Sequence, residues 1–434
     1  MNRRTFLTAS AAVATASRPI LGANDRINMA VVGVRSRGRS HMNAYATLPG
    51  SRVAAVCDID QTVAERAVPF AENIQGAKPK SYPDLRLLLE DKEIDAISVA
   101  TCNHWHALAT IWACQAGKDV YCEKPSSHNI FEGRKQVEAA RKYKRIVQVG
   151  TQSRSMPHKI RAIELLHSGV IGKLYMAKGL CYKRRLSIGH EEATAVPPGV
   201  DFDKWLGPAE MRPFYKNRFH YNWHWFWDTG NGDIGNQGIH EMDIARWGLG
   251  KTVHPFSVDS TGGKYAYQDD QQTANTQLAR FDYGDAEIVF EVRGLPTGSE
   301  SGLEQVQGPN YIGNIFFGSG GYLIVDDNDF QIFLGDKREP GESMKHPGKS
   351  DEPDTKEHMA NFQKAMRSRA VSDQRADILE GHMSASMVHM ANTSYRLDRR
   401  LKFDGKTETY GKDAEANAYI SRNYRAPYIV PENV

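Results

Sequence analysis

The stretch that most constrains the fold is a short apolar run followed at once by a glycine turn: Ile27-Asn-Met-Ala-Val-Val-Gly33, then G-V-R-S-R-G from Gly33 to Gly38. The run is long enough for a buried strand and too short for a helix. Beyond the turn, Met42, Tyr45 and Leu48 recur at helical spacing, so strand, turn and helix follow in the order of a phosphate-binding unit. Gly33 suits the tight turn and Gly38 the packing of helix on strand, while the N–H groups that open the helix can face a pyrophosphate. Arg35 stands where the middle glycine of G-x-G-x-x-G lets the backbone approach phosphates. The next strand makes up for this. Val53-Ala-Ala-Val-Cys-Asp58 ends in an acid 20 residues after Gly38, the spacing at which a carboxylate holds the adenosine ribose hydroxyls. NAD is the expected cofactor, because Asp58 would repel a 2′-phosphate; NADP is admitted if Arg35, Arg37 or Arg39 reaches that position. Gly33, Arg35, Ser36, Arg37, Gly38 and Asp58 are the expected contacts of this half of the site.

Strand and helix patterns then alternate: Ile94–Ala100, a helix from about His106 to Ala116, Asp119–Cys122, a helix from about Ile130 to Lys142, and Arg145–Gly150. Such alternation predicts a parallel, doubly wound sheet with ligands at the carboxyl ends of its strands. Two polar segments fall at such ends, T-C-N-H-W-H (Thr101–His106) and C-E-K-P (Cys122–Pro125), which brings Thr101, Asn103, His106, Glu123 and Lys124 to the cofactor. After residue 150 the pattern changes. A helix (about His158 to Ser168), a strand (about Lys173 to Tyr182) and a long aromatic loop come first. Period-two stretches follow, such as Glu287–Arg293, where Ile288, Phe290 and Val292 share a face. Helices at about 355–368 and 377–397 close the chain. The fold class is thus α/β plus α+β: a Rossmann domain over residues 24–150, then an α+β domain with a large open sheet over 151–434.

The glycine turn, the strand ending in A-T-x-N-x-x-H and the segment Ala116-Gly-Lys-Asp-Val-Tyr-Cys-Glu-Lys-Pro125 together resemble the Gfo/Idh/MocA family of NAD(P)-dependent oxidoreductases. The tail, with H-M-A-N-F (His358–Phe362) and A-N-T-S-Y-R-L (Ala391–Leu397), is similar to its exported, sugar-related branch. The resemblance implies that Lys124 lies beside the nicotinamide and the substrate hydroxyl, where an ammonium polarises oxygen. It also aligns Gly230–Asp243 with the family's D-x-G-x-H-x-x-D segment. His240 then takes the acid/base position, Asp243 lies one helical turn on, and Asn236 replaces the usual aspartate. An amide cannot accept a proton as a carboxylate does, so Asp233 is the candidate substitute.

The run Phe219–Asp228 is unusually aromatic for a loop, and Trp223, His224 and Trp225 are read as sugar contacts, ring faces stacking on a pyranose, with Asp243 on hydroxyls. The same run with His220, His224, Asp228, Asp233, His240 and Asp243 matches no metal-ligand spacing, so no metal is expected. Five cysteines without a C-x-x-C pair read as small buried hydrophobes rather than zinc ligands or disulfides.

The chain opens M-N-R-R-T-F-L before an Ala, Val and Thr stretch, the order of a twin-arginine export signal, so residues 1–23 are read as an address to the periplasm. Removing Arg3, Arg4 and Arg18 takes the formal charge from +3 to zero, which points to neither nucleic acid nor an anionic membrane as partner. No apolar run approaches a membrane span. The expected activity is hydride transfer between tightly held NAD(H) and a carbinol of a sugar, glycoside or cyclitol, in a homo-oligomer. The rivals are an NAD-dependent glycoside hydrolase working by transient C3 oxidation and elimination, and a non-catalytic nucleotide-sugar sensor.

Overall fold

The computed structural model describes residues 26–297, 310–348 and 352–434; the expected export segment, residues 1–23, lies outside them. Strands β1 (Ile27–Val32), β2 (Ser51–Cys57), β3 (Lys80–Tyr82), β4 (Ala96–Val99), β5 (Asp119–Cys122) and β6 (Val147–Val149) form one sheet in the order β3-β2-β1-β4-β5-β6. Every pairing is parallel. Its central strands are buried on both faces, which is why they read as continuous apolar runs. Ala30 and Val32 of β1 enter one core layer, and Ile27, Met29 and Val31 the other. Strand order turns back between β1 and β4, so the chain leaves their carboxyl ends in opposite directions and a crevice opens there.

The helix expected from about His106 starts earlier, at Asn103, and runs to Gln115. Its first turn carries the buried polar residues Asn103 and His104, so hydrophobic periodicity does not reveal it. The helix Ile130–Lys142 has the expected bounds, with Asn129 accepting from the Glu132 N–H and Arg141 and Lys142 in the last turn.

The second sheet joins β7 (Leu174–Lys183), β10 (Ser257–Gly263), β11 (Thr276–Asp282), β12 (Glu287–Arg293), β13 (Asn310–Gly318), β14 (Gly321–Val325), β15 (Asp329–Leu334), β16 (Glu339–Lys345) and β17 (Leu401–Lys402). The order is β16-β15-β14-β13-β7-β12-β11-β10-β17, antiparallel except for β7 with β12. The remaining strands, β8 (Ala193–Thr194) and β9 (Phe214–Tyr215), pair only with each other. Ile288, Phe290 and Val292 share the buried face of the large sheet with Phe281, Phe316 and Phe330.

The helix Gly238–Gly248 lies directly on this face. A Cβ at Gly238 would come within 2.3 Å of the Phe290 ring, and one at Gly248 within 2.2 Å of the Phe316 ring, so helix and sheet meet at backbone distance. The chain then returns to the first sheet. Met359, Phe362, Ala365 and Met366 of the helix Glu352–Ser368 complete one of its core layers, and Tyr428, Val430 and Val434 the other. All five cysteines are free, and four of them are buried. Among the described residues no helix is long and apolar enough to cross a membrane.

Phe290 fills the space under Gly238 and is fully buried. Phe290→Ala should therefore destabilise the chain by about 3–5 kcal/mol, read as a lower denaturation midpoint; an unchanged midpoint would mean that the helix does not depend on this seat.

Candidate active site

The crevice begins at Gly33, which has a left-handed φ of +78°. A Cβ there would stand 2.7 Å from the Ala100 carbonyl oxygen, and one at Gly38 would stand 1.8 Å from the Gly33 oxygen. Neither position tolerates a side chain. The helix Ser36–Thr47 follows with Arg35 in extended backbone and no side-chain cap, so its opening N–H groups remain for a ligand. Asp58, at the end of β2, accepts from Val34 N (2.9 Å) through Oδ2 and from Asp60 N (3.0 Å) through Oδ1. Burial raises its pKa and these backbone donors oppose the rise. A glycine cradle, uncapped amides and a carboxylate beside the turn fit a dinucleotide. The cavity, about 380 Å³, runs from Asp58 past Ser36 and Thr101 to Lys124, Asn236 and His240.

Of the three arginines considered for NADP, Arg35 and Arg37 border this cavity and Arg39 does not. Arg39 stacks on Phe70, 4.0 Å from the ring centroid. The Arg37 Nε donates to Glu123 Oε1 at 2.7 Å. Glu123 accepts as well from His41 Nε2 at 3.0 Å; burial opposes its charge, but Arg37 and His41 hold its carboxyl well below the usual range. Glu123 is thus a brace between the glycine-turn helix and β5.

Lys124 Nζ donates to the Asn236 carbonyl oxygen at 2.5 Å. Burial pushes its pKa down to about 8; the Glu123 charge opposes this, while Arg37 and Lys183 assist it. His240 stands on the same cavity wall in the first turn of the helix Gly238–Gly248. Burial and the Lys124 charge push its pKa down to about 3, so its ring is neutral in ordinary buffers. His240 Nδ1 has no hydrogen-bond partner. Trp223 and His224 line the cavity with stacked rings 3.6 Å apart. Asn103 and His106 border it too, but in braced positions. Asn103 donates to Asn231 Oδ1 (3.0 Å), and the His106 ring spans the carbonyls of Pro125 (2.7 Å) and Thr101 (3.0 Å).

Gly38 packs behind the turn and not on the cavity wall, and three further expected residues stand apart from the cavity. Asp233 is gripped by Arg185, Nη2 to Oδ1 at 2.6 Å and Nε to Oδ2 at 2.8 Å, and so is not a free base. Asp243 is gripped in the same way by Arg154 (2.7 and 2.9 Å) and also accepts from Ser384, tying helices together instead of meeting substrate. Trp225 is buried under the Arg185 guanidinium, 5.3 Å from its ring centroid. Asp228 in turn is held by Arg212 and Arg218. Three carboxylates that share a sequence segment with His220, His224 and His240 are thus each matched with arginine, and the sequence cannot show such partners.

A second group of residues was mostly illegible in the sequence. The chain between β7 and the helix Gly232–Asn236 crosses back over the crevice as a strap. Gln61 N donates to Gly199 O and Asp201 N to Ile59 O, both at 2.9 Å, and His220 Nε2 lies 3.1 Å from Asp60 Oδ2. Trp105 Nε1 donates to the carbonyls of Lys204 (3.0 Å) and Trp205 (3.1 Å). Phe202, Trp205, Leu206, Phe214 and Trp223 form a small core that also touches Ile59 and Cys102 of the first sheet. Tyr428 and Arg425 fasten the strap's outer side through Asp203. Trp105 offered the one local signal, an indole between Asn103 and His106; Tyr428 offered none.

The chain belongs to the Gfo/Idh/MocA oxidoreductase family. Residues 27–151 match its NAD-binding Rossmann fold, and residues 159–311 and 344–430 match its C-terminal alpha/beta domain. Inositol 2-dehydrogenase 2 of Saccharopolyspora erythraea is 30% identical over 229 residues, 52% of this chain and 55% of that protein. A glycosyl hydrolase family 109 protein of the same organism is 26% identical over 36% of this chain and 35% of its own. The chain spans about half the length of the curated relatives it matches. A levoglucosan dehydrogenase solved with NADH and levoglucosan shares the fold, with a TM-score of 0.68 and 17% identity over 87% of this chain and 99% of that one.

The position of Asp58 beside the turn sets a test of cofactor choice. Wild-type protein should bind NAD more tightly than NADP in equilibrium titrations, and Asp58→Ala should narrow or reverse the preference. An unchanged ratio in the variant would remove Asp58 from ribose recognition.

Proposed function

We propose that the chain is an NAD(H)-dependent oxidoreductase that moves hydride to and from a carbinol carbon of a sugar, glycoside or cyclitol. The observation that carries this reading is the Lys124 ammonium at one end of the nucleotide cavity, with neutral His240 on the same wall. A bound nicotinamide supplies the carbon that exchanges hydride with the carbinol carbon. Lys124 orients and polarises the substrate oxygen, and its charge stabilises developing alkoxide. His240 accepts the hydroxyl proton, for which its neutral ring is ready. Asn236 fixes Lys124 through its backbone oxygen, and Trp223 with His224 offers a stacked surface to a sugar ring. The relatives named inositol 2-dehydrogenase and the levoglucosan-bound neighbour support the polyol class. Half-exposed Tyr311, Phe317, Tyr322 and Phe333 on the outer face of the large sheet support a homo-oligomer.

Lys124→Ala and His240→Ala should each lower kcat by about 10²-fold or more with NAD affinity nearly intact. If the charged ammonium does the work, kcat/KM for oxidation falls as pH rises through about 8, where Lys124 loses its proton, and Lys124→Arg removes that limb. A rate that climbs through the same pH would make Lys124 the base instead.

A second reading, the redox-neutral hydrolase, is favoured by the strap and by the family 109 relative. The strap's contacts on Ile59, Asp60 and Gln61 enclose the adenosine half of the cavity, which supports a cofactor that stays bound through many turnovers. The Arg3-Arg4 signal supports the same conclusion, since the twin-arginine route carries folded proteins out of the compartment that holds the NAD pool. Protein recovered from the periplasm should keep close to one dinucleotide per chain after dialysis. Mass spectrometry of aryl glycoside reactions then separates the readings: released aglycone without net NADH marks the hydrolase, and oxidised sugar marks the oxidoreductase. Fully active apoprotein that requires added NAD would sink the captive-cofactor reading.

A further inference from the structure

The aromatic run Phe219–Asp228 divides among three environments. Trp223 and His224 line the nucleotide cavity, Trp225 enters the core, and Trp227 and Asp228 line a second cavity of about 720 Å³. The two cavities meet back to back at an amide pair, Asn103 on the nucleotide side and Asn231 on the other. The second is lined mostly by polar residues, with apolar ring surface among them. Asn423 and Gln272 present amides and Trp227 and Tyr419 ring faces, while the amides of Asn129, Asn392 and Asn417 on the same wall are already hydrogen-bonded within the protein. The Arg396 guanidinium lies 4.9 Å from the Trp227 ring centroid and 4.5 Å from that of Tyr419.

Several lining residues have unfinished hydrogen bonding. His128 is only 9% exposed, and its Nδ1 lies 3.1 Å from Arg422 Nη1. A guanidinium can only donate, so Nδ1 accepts and Nε2 carries the proton, yet Nε2 makes no full hydrogen bond among the described residues. Arg422 Nη2 and Asp228 Oδ1 are also buried without partners. Charge on the cavity wall leans positive by one, Arg212, Arg396 and Arg422 against Glu210 and Asp228. Asp228 Oδ2 is met by both Arg212 (2.6 Å) and Arg218 (2.9 Å). Arg396 and Arg422 meet ring faces and neutral acceptors instead: Trp227 and Tyr419 for the first, Tyr424, His128 and the Asp228 carbonyl for the second.

Amides suit hydroxyl groups that both donate and accept, ring faces suit the C–H side of a pyranose, and guanidinium groups without a carboxylate partner among the described residues suit an acid. We propose that this second cavity binds an acidic saccharide unit, its carboxylate met by Arg422 and Arg396, its ring against Trp227 and its hydroxyls on the amides. The site is separate from the hydride-transfer cavity and does not depend on the reading given to that cavity.

Titration calorimetry of the full chain with sodium D-glucuronate tests this. Saturable binding is expected in the wild type and also in Lys124→Ala, whose change lies in the other cavity. Arg422→Gln and Trp227→Ala should each weaken binding by about tenfold or more, and D-glucose should bind more weakly than glucuronate. Arg396→Gln and Trp227→Phe supply the same comparison should either of the first variants fold poorly by circular dichroism. The proposal is overturned if the wild type shows no saturable binding of glucuronate, or if binding disappears in Lys124→Ala and survives in Arg422→Gln. Equal affinity for glucose and glucuronate overturns the assignment of the arginines to a carboxylate.

Discussion

The site depends on one buried carboxylate. Glu123 takes a charge-assisted bond from Arg37 and another from His41, whose Nδ1 lies 2.9 Å from Ser98 Oγ on β4. The glycine-turn helix, β4 and β5 are therefore joined below the crevice by polar contacts as well as by apolar packing. β6 closes against the same group, since a Cβ at Gly150 would fall 2.9 Å from Glu123 Oε1. Removing Arg37 or His41 leaves the Glu123 carboxylate buried with less compensation, a larger penalty than loss of a surface pair. Lys124 is the next residue along the chain, so the brace fixes its ammonium relative to the glycine turn.

That arrangement also gives a physical sense to the missing middle glycine. A backbone that must lie close to phosphate ordinarily needs no side chain at that point. Here Arg35 lies along the cavity, where a cation beside phosphate is favourable, while Arg37 is withdrawn into the Glu123 brace. The electrostatics of the reaction end follow a related rule. Asp228, Asp233 and Asp243 are all matched with arginine, which leaves Lys124 and His240 as polarisable groups whose pKa values have been shifted by burial.

Legibility of the chain followed the range over which each signal acts. β1, β2, β4 and β5 were readable because burial on both faces writes a continuous apolar run. The helix Gln61–Gln75 was not, since Pro69 interrupts its pattern, and β3 has only three residues. Gly33, Asp58, Lys124 and His240 sit in contiguous motifs, and the structure brings them to one cavity. Asp233, Asp243 and Trp225 were read from the same contiguous logic and lie elsewhere, because their partners Arg185 and Arg154 are 48 and 89 residues away. The strap was hard to read for a similar reason: two backbone bonds and side chains as far apart as Trp105, Asp203 and Tyr428 hold it, pairings that no local pattern records.

The seat of the helix Gly238–Gly248 bears on which parts of the chain can drift. Glycine over phenylalanine at both ends leaves no slack between that helix and the large sheet, so almost any enlargement there would push His240 out of line with Lys124. The strap has the opposite character, a surface crossing held by a few backbone bonds and its own small core. Descendants of such a chain would keep the spacing of Lys124 and His240 and diversify the roof, changing what enters the cavity while leaving its floor unchanged.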